Sequence, residues 1–105
     1  MSKSVLKEKF FLILLLSTEK EQARALLDTV TNNQVSVISE IIYNCQQLTL
    51  PKKAALLFKR RKLYLSKISN KSISVNTRKQ LIRSHYRQLL DTLLSIKNKL
   101  LELLQ

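Results

Sequence analysis

The residues of this chain whose types and spacing could do chemistry are almost all cations. Twelve lysines and arginines fall between residues 51 and 87, with no acid among them. Lys59-Arg60-Arg61-Lys62 is the densest run, with Lys52 and Lys53 before it and Lys67 and Lys71 after it. Farther on, Arg78, Lys79, Arg83 and Arg87 are related by steps of four and five residues, so they can line one side of a helix. Basic charge gathered on part of a fold is the footprint of a polyanionic partner, with nucleic acid the leading class and an anionic membrane surface a weaker one. Tyr64 and Tyr86 could stack on bases, although each also fits the edge of a core. The four-residue run has the composition of a nuclear import signal. Recognition of such signals needs an extended strand, and this stretch favours a helix.

Other chemistries lack their parts. His85 is the only histidine and Cys45 the only cysteine, so neither a histidine cluster for a metal, nor a cysteine-based zinc site, nor an intrachain disulfide can be assembled. Glycine is absent, which removes phosphate-binding glycine loops, and His85 has no nucleophile or carboxylate at triad spacing. The expectation is a non-enzymatic protein without metal or cofactor. A lone cysteine fits a reducing compartment, with Cys45 as a small core residue. An intracellular site, nuclear or virion-associated, is therefore expected rather than secretion.

The elements that must position these cations follow from composition and periodicity. With 105 residues, 45% hydrophobic content and a net charge of +12, the chain suits one globular domain. Without glycine, and with one proline, asparagine alone would have to supply the φ > 0 turns of a β-rich fold, so the expectation is all-α: a compact bundle of five or six short helices. Charge divides that domain. Residues 1–50 hold five basic and five acidic side chains, residues 51–87 carry the whole excess, and residues 88–105 form a leucine-rich, balanced end.

Phe10-Phe11-Leu12-Ile13-Leu14-Leu15-Leu16 is too short to span a bilayer, and no small-residue cleavage site follows it, so it reads as a first helix buried on most sides. Thr18-Glu19-Lys20-Glu21 has the form of a capping box opening a second helix with Ala23, Leu26, Leu27 and Val30 on one face. Thr31-Asn32-Asn33 breaks it. A third helix places Val35, Ile38, Ile41, Ile42, Cys45 and Leu48 together. The fourth opens at Pro51 and runs to about Ser69, with Ala54, Leu57, Phe58, Tyr64, Leu65 and Ile68 forming its apolar face. Ser74 caps a fifth, and Ser84-His85-Tyr86 kinks or breaks the chain before the last.

Arg61 is an anomaly within that pattern. It falls in the apolar arc of the fourth helix, where a guanidinium must reach the rim, pair with a carboxylate or find carbonyls at a neighbouring helix end. The last helix raises a different alternative. Leu90, Leu93, Leu100 and Leu104 make an interrupted heptad stripe that fits either a packed core helix or the seam of a homodimer or helical partner.

Residues from about Leu15 to Ile82 carry a pattern of their own: Ala25-Leu26-Leu27, Ile38-Ser39-Glu40-Ile41-Ile42-Tyr43-Asn44, Leu50-Pro51, then Leu57, Arg61, Tyr64 and Ile68. It closes on Ile73-Ser74, Arg78 and Leu81-Ile82. In this the chain resembles small uncharacterised basic helical proteins of Polinton/Maverick-type virus-like elements and related DNA viruses. That resemblance implies a viral or mobile-element setting and brings no site residues with it. The leading functional expectation is nucleic-acid binding largely without sequence preference, by Lys52, Lys53, Lys59, Arg60, Lys62, Lys67, Lys71, Arg78, Lys79, Arg83 and Arg87. The alternative is a helical protein-interaction module, such as a virus-encoded adaptor or a homodimer.

Overall fold

In the computed structural model, which describes residues 2–104, the chain forms nine helices rather than five or six, because two of the expected helices are each bent in two and a short unexpected helix precedes the first. The segments are α1 (Lys3–Lys7), α2 (Lys9–Ser17), α3 (Lys20–Asp28), α4 (Asn32–Gln46), α5 (Lys52–Arg60), α6 (Lys62–Ser69), α7 (Val75–Ser84), α8 (Tyr86–Leu94) and α9 (Lys97–Leu104). Glu8 and Arg61 make the first two bends, with ψ at 17° and 24° where a helix needs about −42°. The third lies at Ser95-Ile96, where the Ile96 amide bonds the Leu93 carbonyl three residues back. Hydrogen bonds four residues apart resume at once, from Leu12 to Glu8 at 3.1 Å and from Leu65 to Arg61 at 3.0 Å. Among the described residues φ is nowhere positive, so every bend is made with backbone that a glycine-free chain can adopt.

Segments of eight to ten residues are too short to hold as isolated helices, so packing must hold them. One connected core draws on all nine. Val35, Val37, Ile38, Ile41, Ile42 and Cys45 bury the inner side of α4, which packs against α1, α6 and α7. The basic segments were expected mainly to display charge, yet Ala54 and Phe58 of α5, Leu65 and Ile68 of α6 and Ile82 of α7 are core residues. Each fully buried leucine or isoleucine contributes about 1.5–3 kcal/mol. The chain closes into a body of 32 × 29 × 28 Å.

Four further expectations need correction. Leu90, Leu93, Leu100 and Leu104 are at most 3% exposed, so the heptad stripe is filled by this chain's own core and offers no open seam. The first helix is not buried on most sides: Phe10 is 79% exposed, and Leu6 and Leu14, four residues either side of it, also face outward. Leu48 lies beyond the end of α4 and is exposed. Finally, α3 starts after Glu19 with no side-chain cap, and the Thr18 hydroxyl is buried without a partner. The capping box forms instead at Thr31, whose hydroxyl accepts the Gln34 amide while the Gln34 side chain accepts the Thr31 amide. No helix among the described residues is long and apolar enough to cross a membrane.

Candidate nucleic-acid interface

The cations of residues 51–87 separate by partner. Arg61 is held internally: its Nη1 donates to the Gln88 carbonyl at 3.1 Å and reaches the Thr92 hydroxyl at 3.5 Å, while Nη2 lies 3.9 Å from Asp91. The partner is thus a carbonyl and a carboxylate of α8, and Asp91 is shared with Lys20 at 2.6 Å. Beside it, the Tyr64 hydroxyl lies 3.2 Å from the Leu81 carbonyl and 3.3 Å from that of His85, tying α6 to the α7–α8 junction. Burial raises the Tyr64 phenol far above its ordinary range, against a smaller opposing pull from Arg61, so it stays a neutral donor.

Arg78 was expected on the phosphate-facing side of its helix and is 5% exposed instead. It precedes Ile82 by one turn on the side of α7 that packs against α4 and α6, so burial of that side takes Arg78 inward. Lys52, Lys53, Lys59, Arg60, Lys62, Lys67, Lys71 and Arg83 are exposed, and Lys79 is partly so. None of these nine has a carboxylate within 4.0 Å among the described residues. Among the described residues the one carboxylate within reach of Arg87 is that of Glu21, at 3.9 Å between two exposed side chains.

The exposed cations do not converge on one cleft. Lys59 and Lys62 border a groove of about 460 Å³ with Leu48, Leu50 and Phe58 as its apolar part. Lys53 lies with Lys20 and Asp91 in another. Arg83 and Arg87 share a third, of about 480 Å³, with Arg24, His85 and Tyr86. There the Tyr86 ring has the Arg24 guanidinium 5.3 Å from its centroid and that of Arg87 5.7 Å away, and Arg87 Nε donates to the Tyr86 hydroxyl at 3.1 Å. Arg24 belongs to the charge-neutral half of the sequence, and no spacing there links it to Tyr86. Only the packing of α3 on α7 and α8 brings it in.

Groups that could do covalent chemistry are engaged elsewhere. Desolvation pushes the buried Cys45 thiol up to about 11, with a smaller opposing effect from Lys99, so it is protonated at neutral pH and a poor nucleophile. Ser84 Oγ lies 2.9 Å from His85 Nδ1 but nearer, at 2.7 Å, to the Gln80 carbonyl. Its proton goes to that carbonyl, which leaves Nδ1–H as the donor to the hydroxyl. No group of three or more histidine, cysteine or acidic side chains is placed to hold a metal ion among the described residues. Comparison of the chain with protein-family profiles, characterised proteins and solved structures gives no match.

Proposed function

We propose that this protein binds nucleic acid non-enzymatically and largely without sequence preference, its lysines and arginines displacing counterions from phosphates. One observation carries the reading: among the described residues, eight exposed cations between Lys52 and Arg83, with the partly exposed Lys79, stand without a carboxylate partner. A protein with a net charge of +12 repels itself, and a polyanion relieves that repulsion while releasing bound counterions. Cations spread over several shallow grooves suit a backbone that passes over the surface better than a small ligand held in one cleft. The Arg24–Tyr86–Arg87 stack adds a flat aromatic flanked by guanidinium groups, suited to an unpaired base. Organisation of viral or mobile-element DNA is the setting that fits such a binder. The alternative module built on the C-terminal leucines has no observation in its favour, because those side chains are in the core.

The test is fluorescence anisotropy on a random-sequence duplex across a salt series. Neutralisation of about five phosphates gives log K falling against log salt with a slope of roughly −4 to −5. Absence of salt-sensitive binding at low ionic strength refutes the reading.

A further inference from the structure

Arg78 presents a problem that the exposed cations do not. Its guanidinium is buried, and among the described residues the one hydrogen bond it makes is from Nη1 to the Ser39 hydroxyl at 2.9 Å. Nε is buried with no partner. No carboxylate of the described residues comes within 4.0 Å of it. The Ser39 oxygen lies 2.9 Å from the Val35 carbonyl and 2.6 Å from that of Ile68, so its own hydrogen is committed and it meets Arg78 as an acceptor. A buried, uncompensated guanidinium is costly, and a fold retains one most readily where an anion completes it.

The surroundings of Arg78 suit that role. It lines a pocket of about 340 Å³ together with Lys71, Ser4, Ser36, Ser39, Val37 and Glu40. This volume lies at the lower end for small-ligand sites. Lys71 supplies a second, exposed cation, and Ser4 and Ser36 supply hydroxyl donors. Glu40 places a carboxylate in the same pocket, with one oxygen occupied by the Ser2 hydroxyl at 2.6 Å. Two cations and one carboxylate leave a single positive charge. That balance matches a monoanion and disfavours a dianion.

We propose that this pocket binds one singly charged phosphate group, such as a phosphodiester, with Arg78 as its buried donor and Lys71 as its exposed one. Glu40 selects against the doubly charged monoester. The inference stands on the pocket and does not depend on nucleic-acid binding by the rest of the surface. Both a nucleic-acid backbone and a small free phosphate ester offer this chemistry.

The experiment titrates dimethyl phosphate into the isotopically labelled full chain and follows the Arg78 Nε–Hε resonance by NMR, with sodium chloride at matched ionic strength as control. A saturable shift absent from the chloride series is expected. Lys71→Ala should weaken binding about tenfold, the scale of one lost charge-assisted hydrogen bond. Glu40→Gln should tighten binding of inorganic phosphate dianion at pH 8 severalfold. Because Arg78→Met can fail to fold, the exposed Lys71 carries the mutational test. A shift that follows ionic strength alone overturns the proposal, as do variants that both stay within twofold of the parent. Displacement of dimethyl phosphate by random duplex identifies the backbone as the source, and simultaneous binding identifies a small ester; either result supports the site. Retained dimethyl phosphate binding without duplex binding leaves the pocket standing and removes the nucleic-acid reading. Duplex binding without a dimethyl phosphate shift does the reverse.

Discussion

Arg61 and its neighbours Lys59, Arg60 and Lys62 are adjacent in sequence and opposite in consequence. Arg61 donates to a carbonyl of α8 and is partly buried, whereas the other three end in solvent. Arg61→Ala should destabilise the fold by about 1 kcal/mol, near the lower end for a charged hydrogen bond. The loss is limited because the Gln88 carbonyl keeps the Thr92 hydroxyl at 2.7 Å and Asp91 keeps Lys20. The triple change Lys59→Ala, Arg60→Ala, Lys62→Ala should leave thermal unfolding nearly unmoved and reduce the salt slope of duplex binding by up to about 2.7, or 0.9 for each phosphate no longer neutralised. Thermal melts and anisotropy on both proteins decide it, and similar behaviour of the two would refute the division. The anomaly at Arg61 is legible in the sequence because Leu57, Tyr64, Leu65 and Ile68 surround it at helical spacing. The same sign was present at Arg78, which lies three residues after Val75 and before Leu81 and four before Ile82. There the periodic basic residues gave a competing surface reading, and only packing on α4 and α6 decides which side of α7 turns inward.

At the scale of elements, periodicity identifies helices well and their bends poorly. A bend of one residue leaves the apolar spacing on both sides almost unchanged, so the stretches around Arg61 and Ser95 read as continuous. Capping shows a related ambiguity. Thr18-Glu19-Lys20-Glu21 and Thr31-Asn32-Asn33-Gln34 fit the same four-residue pattern, and only the second is used. The difference is tertiary: the Thr18 hydroxyl is buried against the chain, out of reach of the α3 amides. Valine has nearly the shape of threonine without the hydroxyl, so it separates the two. Thr31→Val should cost about 1 kcal/mol by removing a cap, while Thr18→Val should be neutral or slightly stabilising because it removes a buried hydroxyl that has no partner. Denaturant unfolding measures both, and a reversed order would place the cap at Thr18.

For the molecule as a whole, the charge and the core act against each other. One core binds all nine helices, yet two of the three ion pairs among the described residues are long, at 3.9 Å, and the net charge is +12. The fold therefore works against its own repulsion, which falls as salt shortens the Debye length from about 30 Å at 0.01 M to about 8 Å at 0.15 M. Added sodium chloride should raise the melting temperature over that range, by a few degrees if roughly 0.5–1 kcal/mol of repulsion is screened. The same salt should weaken duplex binding, because there the charges are attractive and counterion release loses its advantage. Opposite responses of stability and affinity to one variable are the signature of an uncompensated cationic surface. Calorimetry and anisotropy in the same buffers test it. A melting temperature that falls with salt would mean that the Lys20–Asp91 and Arg87–Glu21 pairs outweigh the repulsion, which removes the electrostatic basis for a polyanion partner.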